Sequence, residues 1–205
     1  LSQGAKGFDL DLVSEVMTYN ASQGKPAYAA IINRLDRPVS GLVLIAKNKS
    51  AAAKYSTLMQ KEGGFNKQYE ALICGKLSEL KGTFVDYLKK DGRTNTSAIV
   101  PADSAANDKE AKLSKLEYEV ISYDEVKDIT HVRIHLITGR HHQIRVQFAS
   151  RRHPLVGDYK YATADCGMDN AVKAVALKRN QIALCAVSLT VDNKTYSVAP
   201  EFSIG

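Results

Sequence analysis

The chain has 205 residues, of which 44% are hydrophobic and 24% charged, a composition typical of a globular protein with a sizeable core. No stretch approaches the roughly eighteen consecutive apolar residues of a membrane-spanning helix, and the N-terminus lacks a signal-peptide pattern, so neither membrane insertion nor export is expected. The formal net charge of +6 suggests an acidic partner. We expect a cytoplasmic monomer in which residues 1–205 form one domain of two lobes.

A short strand and a helix are the first elements that the sequence predicts. The apolar run GLVLIA, residues 41–46, fits a strand that is buried on both faces. The helix that follows has hydrophobic residues at helical spacing, and Asn48 or Ser50 can cap its N-terminus. Gly63 and Gly64 should end it, because glycine readily adopts the left-handed conformation that follows many helices.

Strands dominate the rest of the chain. Residues 65–77 alternate so that Tyr69 and Ile73 share one face of a strand and Leu72 lies on the other. The polar stretch 101–112 is predicted as a loop. Three further strand pairs are predicted: 82–90 with 94–101, 113–123 with 129–138, and 181–191 with 195–200. The predicted fold class is therefore α+β, with a mixed, mostly antiparallel central sheet and flanking helices.

A carboxylate between two arginines precedes the first predicted strand. Asp36 lies between Arg34 and Arg37 in the stretch INRLDRPVSG. One interpretation is a solvated turn whose charges neutralise one another. The other is a functional carboxylate that the neighbouring strand holds in place, and this stretch alone does not decide between them.

Basic residues are concentrated between His131 and Tyr161, where Asp158 is the only acid. The basic residues of this cluster are Arg133, Arg140, Arg145, Arg151, Arg152 and Lys160. Such an imbalance favours an anionic partner, and phosphate backbones are the commonest partner of this kind. A solvated basic face is the alternative interpretation.

Metal and disulfide sites find little support in the sequence. The three cysteines are widely spaced and include no C-x-x-C pair, so we expect reduced thiols. A helix is predicted from His142 to Ser150, and the adjacent His141 and His142 would point in different directions from it. The i, i+4 histidine pair of zinc-binding helices is absent. We therefore predict no metal site.

Four motifs occur in order along the chain: RLDRPVSGLVLIAKN (34–48), KQYEALICGKL (67–77), TGRHHQIRVQFA with HPLVGDYKY (138–161), and IALCAVSLTV ending in AP (182–200). They resemble the RluA-type family of RNA pseudouridine synthases, whose patterns read approximately H-R-L-D-x-x-T-S-G-L-L-L-x-A-K, K-x-Y-x-A-x-x-x-G and G-R-x-H-Q-I-R. The chain departs from the usual family residues at Asn33, Val39, His141, Gln147 and Cys185. The N-terminal strand of the family is divergent or missing, and no S4-type RNA-binding module is visible.

The resemblance implies a pseudouridine synthase catalytic fold and an isomerase that acts on specific uridines of ribosomal or transfer RNA. Asp36 matches the indispensable carboxylate, which either attacks C1′ or C6 or assists loss of a ribose proton, and the sequence leaves these routes open. Arg145 matches the ion-pair partner expected to position Asp36. Tyr69 matches a tyrosine expected against the uracil and in proton removal from C5, with a half-buried strand tyrosine as the alternative. No metal or organic cofactor is implied.

The same resemblance implies an RNA-binding surface around the site. The target uridine must be flipped out of its stack, at a cost of roughly a few kcal/mol, and Arg34 is a candidate to fill the vacated space. The residues expected to contact RNA are Arg34, Arg37, Arg140, His142, Gln143, Arg151, Arg152 and Lys160. A catalytically inactive RNA-binding relative is the alternative function. A nucleoside hydrolase would need a second catalytic carboxylate, which no motif supports.

Overall fold

An eight-stranded sheet forms the centre of the computed structural model, which describes residues 11–61, 64–175, 177–178 and 180–204. The strands are β1 (Ala30–Ile31), β2 (Ser40–Gly41), β3 (Ile45–Ala46), β4 (Asn66–Cys74), β5 (Lys81–Asp91), β6 (Thr96–Val100), β7 (Lys112–Asp124), β8 (Ile129–Leu136), β9 (Leu184–Val191) and β10 (Lys194–Ser197). The helices are α1 (Leu12–Ser22), α2 (Lys49–Gln60), α3 (Ala102–Ala105), α4 (Gln143–Ala149) and α5 (Met168–Lys173).

The order of the strands in this sheet is β10-β9-β4-β8-β7-β5-β6, and β2 also pairs with β9. Neighbours along this order are antiparallel, whereas β2 runs parallel to β9. Strands β1 and β3 form a separate antiparallel pair. The predicted α+β class, with a mixed and mostly antiparallel sheet, is confirmed.

The sheet carries a hydrophobic core on each face, and the alternation of β4 decides which residue enters which core. Tyr69 and Ile73 join the first core, to which α4 contributes Phe148. Leu72 joins the second core, which includes residues of α5. The predicted division of β4 between two faces is therefore confirmed. Full burial of one large apolar side chain contributes about 1.5–3 kcal/mol to the free energy of unfolding. A one-residue shift of a strand would lose this burial, so the two cores fix the register of the sheet.

The run GLVLIA is not the continuous strand, buried on both faces, that the sequence predicts. Strand β2 pairs with β9, whereas β3 pairs with β1. Asn33 explains the break between them, because its side chain donates to the Leu42 carbonyl and accepts from the Leu44 amide. These two bonds replace those of a neighbouring strand, and the stretch between β2 and β3 is only partly buried.

Gly41 passes directly against β9. Its φ is +119°, a backbone conformation that residues with a side chain rarely adopt. A Cβ at this position would lie 2.4 Å from the backbone nitrogen of Ala186. Glycine is therefore required for β2 to rest on the sheet just after the loop that carries Asp36.

Helix α2 begins after Asn48, as predicted, because the Asn48 side chain accepts a hydrogen bond from the Ala51 amide at 2.8 Å. It ends before Gly63, which lies outside the described residues. The predicted loop over 101–112 is partly wrong, since it contains the one-turn helix α3 and its last residue begins β7. Among the described helices, none is long and apolar enough to cross a membrane.

Candidate active site

Asp36 lies in the loop between β1 and β2. The loop turns through a hydrogen bond from the Val39 amide to the Asp36 carbonyl at 2.9 Å. Leu35 and Val39 pack against the first core, which anchors the loop on both sides of the carboxylate. The Asp36 side chain remains 28% exposed. The loop therefore presents a carboxylate to solvent from a fixed backbone.

Arg145 is the buried cation beside Asp36. It lies in α4, and its Nη1 donates a hydrogen bond to Oδ2 of Asp36 at 3.2 Å. Its Nε and Nη2 donate to the carboxylate oxygens of Asp158 at 2.6 and 2.8 Å. Burial opposes charge on this guanidinium, but the hydrogen bonds and charge of Asp158, together with Asp36, raise the pKa of Arg145. The structure thus brings together the Asp36–Arg145 pair that the sequence predicts.

Asp158 also belongs to the site, although it is not among the site residues predicted from sequence. Its side chain is 2% exposed, and its two oxygens bind two nitrogens of Arg145. The available signal is its position as the only acid in the basic cluster, because a buried carboxylate needs a cationic partner. Asp158 fixes the orientation in which Nη1 of Arg145 reaches Asp36.

Tyr69 approaches the same site from β4. Ala186 of β9 pairs with Gly41 on one side and with Tyr69 on the other, so the register of the sheet places Tyr69 near the Asp36 loop. Burial raises the pKa of the Tyr69 hydroxyl to about 12, and the nearby charge of Asp36 acts in the same direction. The Tyr69 hydroxyl is therefore protonated at neutral pH and close enough to Asp36 to respond to its charge.

His142 lies against Asp36 from the start of α4. Its φ of 53° is left-handed, which is uncommon for a residue with a side chain. Its Nε2 lies 3.7 Å from Oδ2 of Asp36, and its Nδ1 lies 2.6 Å from the hydroxyl oxygen of Tyr161. Burial, followed by the charge of Arg145, lowers the pKa of His142 to about 3. His142 is therefore a neutral imidazole in the site at physiological pH.

Tyr161 connects this imidazole to the hairpin formed by β5 and β6. Its hydroxyl oxygen accepts a hydrogen bond from the Ser97 amide at 2.9 Å, and its ring centre lies 5.1 Å from Cζ of Arg145. His141 stacks on His142 with ring centroids 3.8 Å apart, and its Nδ1 lies 2.9 Å from Oγ of Ser97. Tyr161 has no role among the residues predicted from sequence, because nothing in its spacing points to a hydroxyl that bonds a histidine.

Five of the eight residues predicted to contact RNA are exposed: Arg34, Arg37, Arg140, Arg152 and Lys160. Arg34 and Arg37 flank Asp36 in its loop. Lys160 lies one residue before Tyr161, and its Nζ donates to the Asn95 carbonyl at 3.0 Å, beside the hairpin of β5 and β6. Arg34, Arg37 and Lys160 therefore give the site an exposed basic margin.

The other three are His142 and Gln143, which are buried, and Arg151, whose side chain is 32% exposed. Gln143 is 2% exposed, and its side chain accepts from Oγ1 of Thr138 and donates to the Lys115 carbonyl. Arg151 forms an ion pair with Asp86 at 3.0 Å. The sequence predicts RNA contacts for all three residues, but burial leaves His142 and Gln143 little surface for RNA and the ion pair with Asp86 engages Arg151.

The sequence of this chain is similar to a known family over most of its length. The family model for RNA pseudouridylate synthase matches residues 3–150. The chain is 37% identical over 137 residues to the ribosomal large subunit pseudouridine synthase D of Blochmanniella floridana, covering 65% of this chain and 38% of that protein. It is 31% identical over 177 residues to the protein of that name from Vibrio vulnificus (strain CMCP6), covering 85% of this chain and 51% of the relative. The chain thus spans about half or less of the length of these relatives.

A solved structure shares the fold. Human RNA Pseudouridylate Synthase Domain Containing 1 superposes with a TM-score of 0.66 and 24% identity, over 85% of this chain and 69% of that chain. A likeness at this identity shows the fold alone. Together with the family match, it confirms the fold and the resemblance that the four sequence motifs predict.

Proposed function

Because this chain belongs to the RNA pseudouridylate synthase family, we propose that it isomerises uridine to pseudouridine in RNA and that Asp36 is its reactive carboxylate. The reaction detaches uracil from C1′ of the ribose, turns the base and rejoins it through C5, with no net gain or loss of atoms. The observation that carries the proposal is the geometry of Asp36, a partly exposed carboxylate whose oxygen lies 3.2 Å from the buried guanidinium of Arg145.

This geometry suits a carboxylate that must act in its ionised form. A nucleophile or base must be charged when it acts, and a fixed cation beside it favours that state. Asp158 holds Arg145 in place, so the guanidinium does not have to reorganise during the reaction. Attack by Asp36 on C1′, attack on C6 and removal of a ribose proton are all compatible with this arrangement.

Tyr69 is proposed to pack its ring against the uracil and to direct its hydroxyl toward the reacting atoms. Because its pKa is about 12, the hydroxyl can donate a hydrogen bond at neutral pH. Accepting a proton from C5 would first require the hydroxyl to lose its own proton. A base flipped out of its stack commonly rests between such side chains in a pocket.

The exposed basic margin is proposed to bind the phosphate backbone of the RNA. Contacts of this kind set the position of the nucleic acid and make the affinity depend on salt. Arg34, beside Asp36, is proposed to occupy the space that the flipped uridine leaves. For Gln143 we propose a supporting role within the protein, since its burial leaves almost no surface for RNA.

The proposed substrate is large-subunit ribosomal RNA in the cytoplasm. The proposal of this substrate is supported by the name of two similar proteins, ribosomal large subunit pseudouridine synthase D. Transfer RNA is the alternative substrate, and the two can be compared in one assay. We propose that the chain acts as a monomer. We also propose that it needs no cofactor, because the isomerisation uses only atoms of the substrate and protein side chains.

Release of tritium from RNA labelled at C5 of uridine tests this function directly, because forming the C5–C1′ bond expels the C5 hydrogen. Wild-type protein should release tritium from large-subunit ribosomal RNA, and Asp36→Asn should release none while still binding the RNA. Asp169→Asn is a matched control, since Asp169 is an exposed carboxylate that pairs with Tyr159. Turnover by Asp36→Asn would contradict the role of Asp36, and no release by the wild type from either RNA would contradict the function.

A further inference from the structure

Tyr161 is the only described residue whose side chain joins His142 to a strand of the sheet by hydrogen bonds. Its hydroxyl oxygen lies 2.6 Å from Nδ1 of His142 and 2.9 Å from the amide nitrogen of Ser97. A backbone amide can only donate, so the Tyr161 oxygen accepts from Ser97. The Tyr161 proton is not used in this bond, and Nδ1 of His142 lies within hydrogen-bond distance to accept it.

The charge state of His142 determines what this bond does. His142 is neutral at physiological pH, so one of its two ring nitrogens carries a proton. If Tyr161 donates to Nδ1, the proton of the imidazole lies on Nε2. Nε2 is the nitrogen that faces Oδ2 of Asp36 at 3.7 Å.

The opposite tautomer would be unfavourable in this environment. It would place the lone pair of Nε2 toward the negative carboxylate of Asp36. It would also leave the Tyr161 proton without the acceptor that lies 2.6 Å away. The hydrogen bond made by one ring nitrogen of a histidine determines whether the second ring nitrogen carries the proton. In His142 the first nitrogen is Nδ1, which bonds Tyr161, and the second is Nε2.

We propose that Tyr161 is a positioning residue of the reaction, which holds His142 in the tautomer whose Nε2–H points at Asp36. This inference rests on the proposed function of Asp36. The separation of 3.7 Å is longer than a hydrogen bond, as is common in sites without substrate. The preset proton faces Oδ2 of Asp36 across this distance.

Nitrogen NMR of the wild-type protein tests the tautomer without any change in the site. With ¹⁵N-labelled histidine, protonated and unprotonated ring nitrogens have well separated shifts, and the His142 signals are those that His142→Asn removes. Asparagine tolerates the left-handed backbone of this position better than most residues. We expect a protonated Nε2 and an unprotonated Nδ1 at pH 7. A protonated Nδ1 would overturn the inference.

Kinetics of Tyr161→Phe test the consequence. This change keeps the ring beside Arg145 and removes the hydroxyl, so we expect a mixture of His142 tautomers and a kcat at least tenfold lower, with KM within twofold of the wild type. Tyr159→Phe is the matched control, because Tyr159 lies two residues before Tyr161 and its hydroxyl donates a hydrogen bond to exposed Asp169, away from His142. Unchanged kcat in Tyr161→Phe would overturn the inference.

The two experiments also separate this inference from the proposed function. A wild-type protein that forms no pseudouridine would contradict the function itself. Pseudouridine formation by a wild type with unprotonated Nε2 would contradict only the role of Tyr161. If Tyr161→Phe does not fold, the tautomer measured in the wild type still decides the question.

Discussion

Nη1 of Arg145 lies 3.2 Å from Oδ2 of Asp36, although 109 positions separate the two residues in the chain. Asp36 is carried by a loop anchored through Leu35 and Val39, and Arg145 by helix α4, and both segments pack on the first core. The pair therefore forms only when the loop and the helix are docked on the same face of the sheet. Its chemistry depends directly on that packing.

Arg145→Met should destabilise the protein strongly. Removing one partner of a buried ion pair costs about 3–5 kcal/mol, because the other charge stays buried without compensation. Here that charge is on Asp158, whose side chain is 2% exposed. Urea unfolding of the variant and of the wild type measures the loss.

A double variant separates this structural effect from catalysis. Arg145→Met combined with Asp158→Asn removes both buried charges, so much of the lost free energy of unfolding should return. Turnover should not return, since the cation beside Asp36 is still missing. Recovery of tritium release along with stability would mean that Arg145 serves the fold alone.

The stability of the protein should depend on pH through His142. Its pKa is about 3 in the folded protein, against 6.5 as the ordinary value. Between these values the unfolded chain binds a proton that the folded protein does not, so the free energy of unfolding falls as pH decreases. The slope contributed by one such group approaches about 1.4 kcal/mol per pH unit.

His142→Asn provides the comparison for this pH effect. Urea unfolding should be measured at several pH values between about 4 and 7, roughly the window that the two pKa values set. The free energy of unfolding should depend less steeply on pH in the variant than in the wild type. Burial also lowers the pKa of His141, which is present in both proteins. Parallel curves for the two proteins would show that His142 is not held neutral by the fold.

Removing two exposed charges beside Asp36 should weaken the salt dependence of RNA binding. For single-stranded RNA the slope of log K against log salt is roughly 0.7 per phosphate contact, so Arg34→Gln with Arg37→Gln should reduce it by about 1.4. Titration with substrate RNA at several salt concentrations measures this slope.

A matched pair of lysines controls for the lost net charge. Lys54 and Lys81 are exposed and pair with Asp192 and Glu119. Lys54→Gln with Lys81→Gln removes the same formal charge and should leave the slope near that of the wild type. Equal reductions in both double variants would assign the effect to net charge and move the RNA away from the Asp36 loop.

Tyr69→Phe should reduce turnover at least tenfold and change RNA affinity less than twofold. The variant keeps the ring that packs against the base and loses only the hydroxyl, which lies within reach of the charge of Asp36. Single-turnover rates and binding constants for the same RNA test the difference. Equal losses in rate and affinity would restrict Tyr69 to packing.

The sequence predicts those parts of the site that belong to contiguous motifs. Asp36, Tyr69 and Arg145 each stand in a motif, and the alternation of β4 correctly assigns Tyr69 to the first core. The Asp36–Arg145 contact could be predicted because the resemblance to one family implies that these two motif residues form an ion pair. Its distance and burial, in contrast, depend on how separate segments pack.

Other features depend on contacts that no local pattern encodes. Asn33 interrupts the predicted strand over 41–46 by binding the backbone of residues that lie farther along the chain. Tyr161 acquires its partners only because the hairpin of β5 and β6 reaches α4. The group that Ser97 contributes is its backbone amide, which leaves no signal in the sequence. Hydrogen bonds between distant backbone and side-chain groups are set by tertiary structure, so periodicity and motif spacing do not reveal them.

The contact between Gly41 and Ala186 has a consequence for how genetic variation in this protein should be read. A side chain at position 41 would collide with the backbone of β9 and lift the loop that carries Asp36. Inactivating substitutions recovered in a genetic screen should therefore fall on Gly41 as well as on Asp36, although Gly41 has no group that could react with RNA. A map of intolerant positions would rank this glycine beside the carboxylate, and only the sheet explains why.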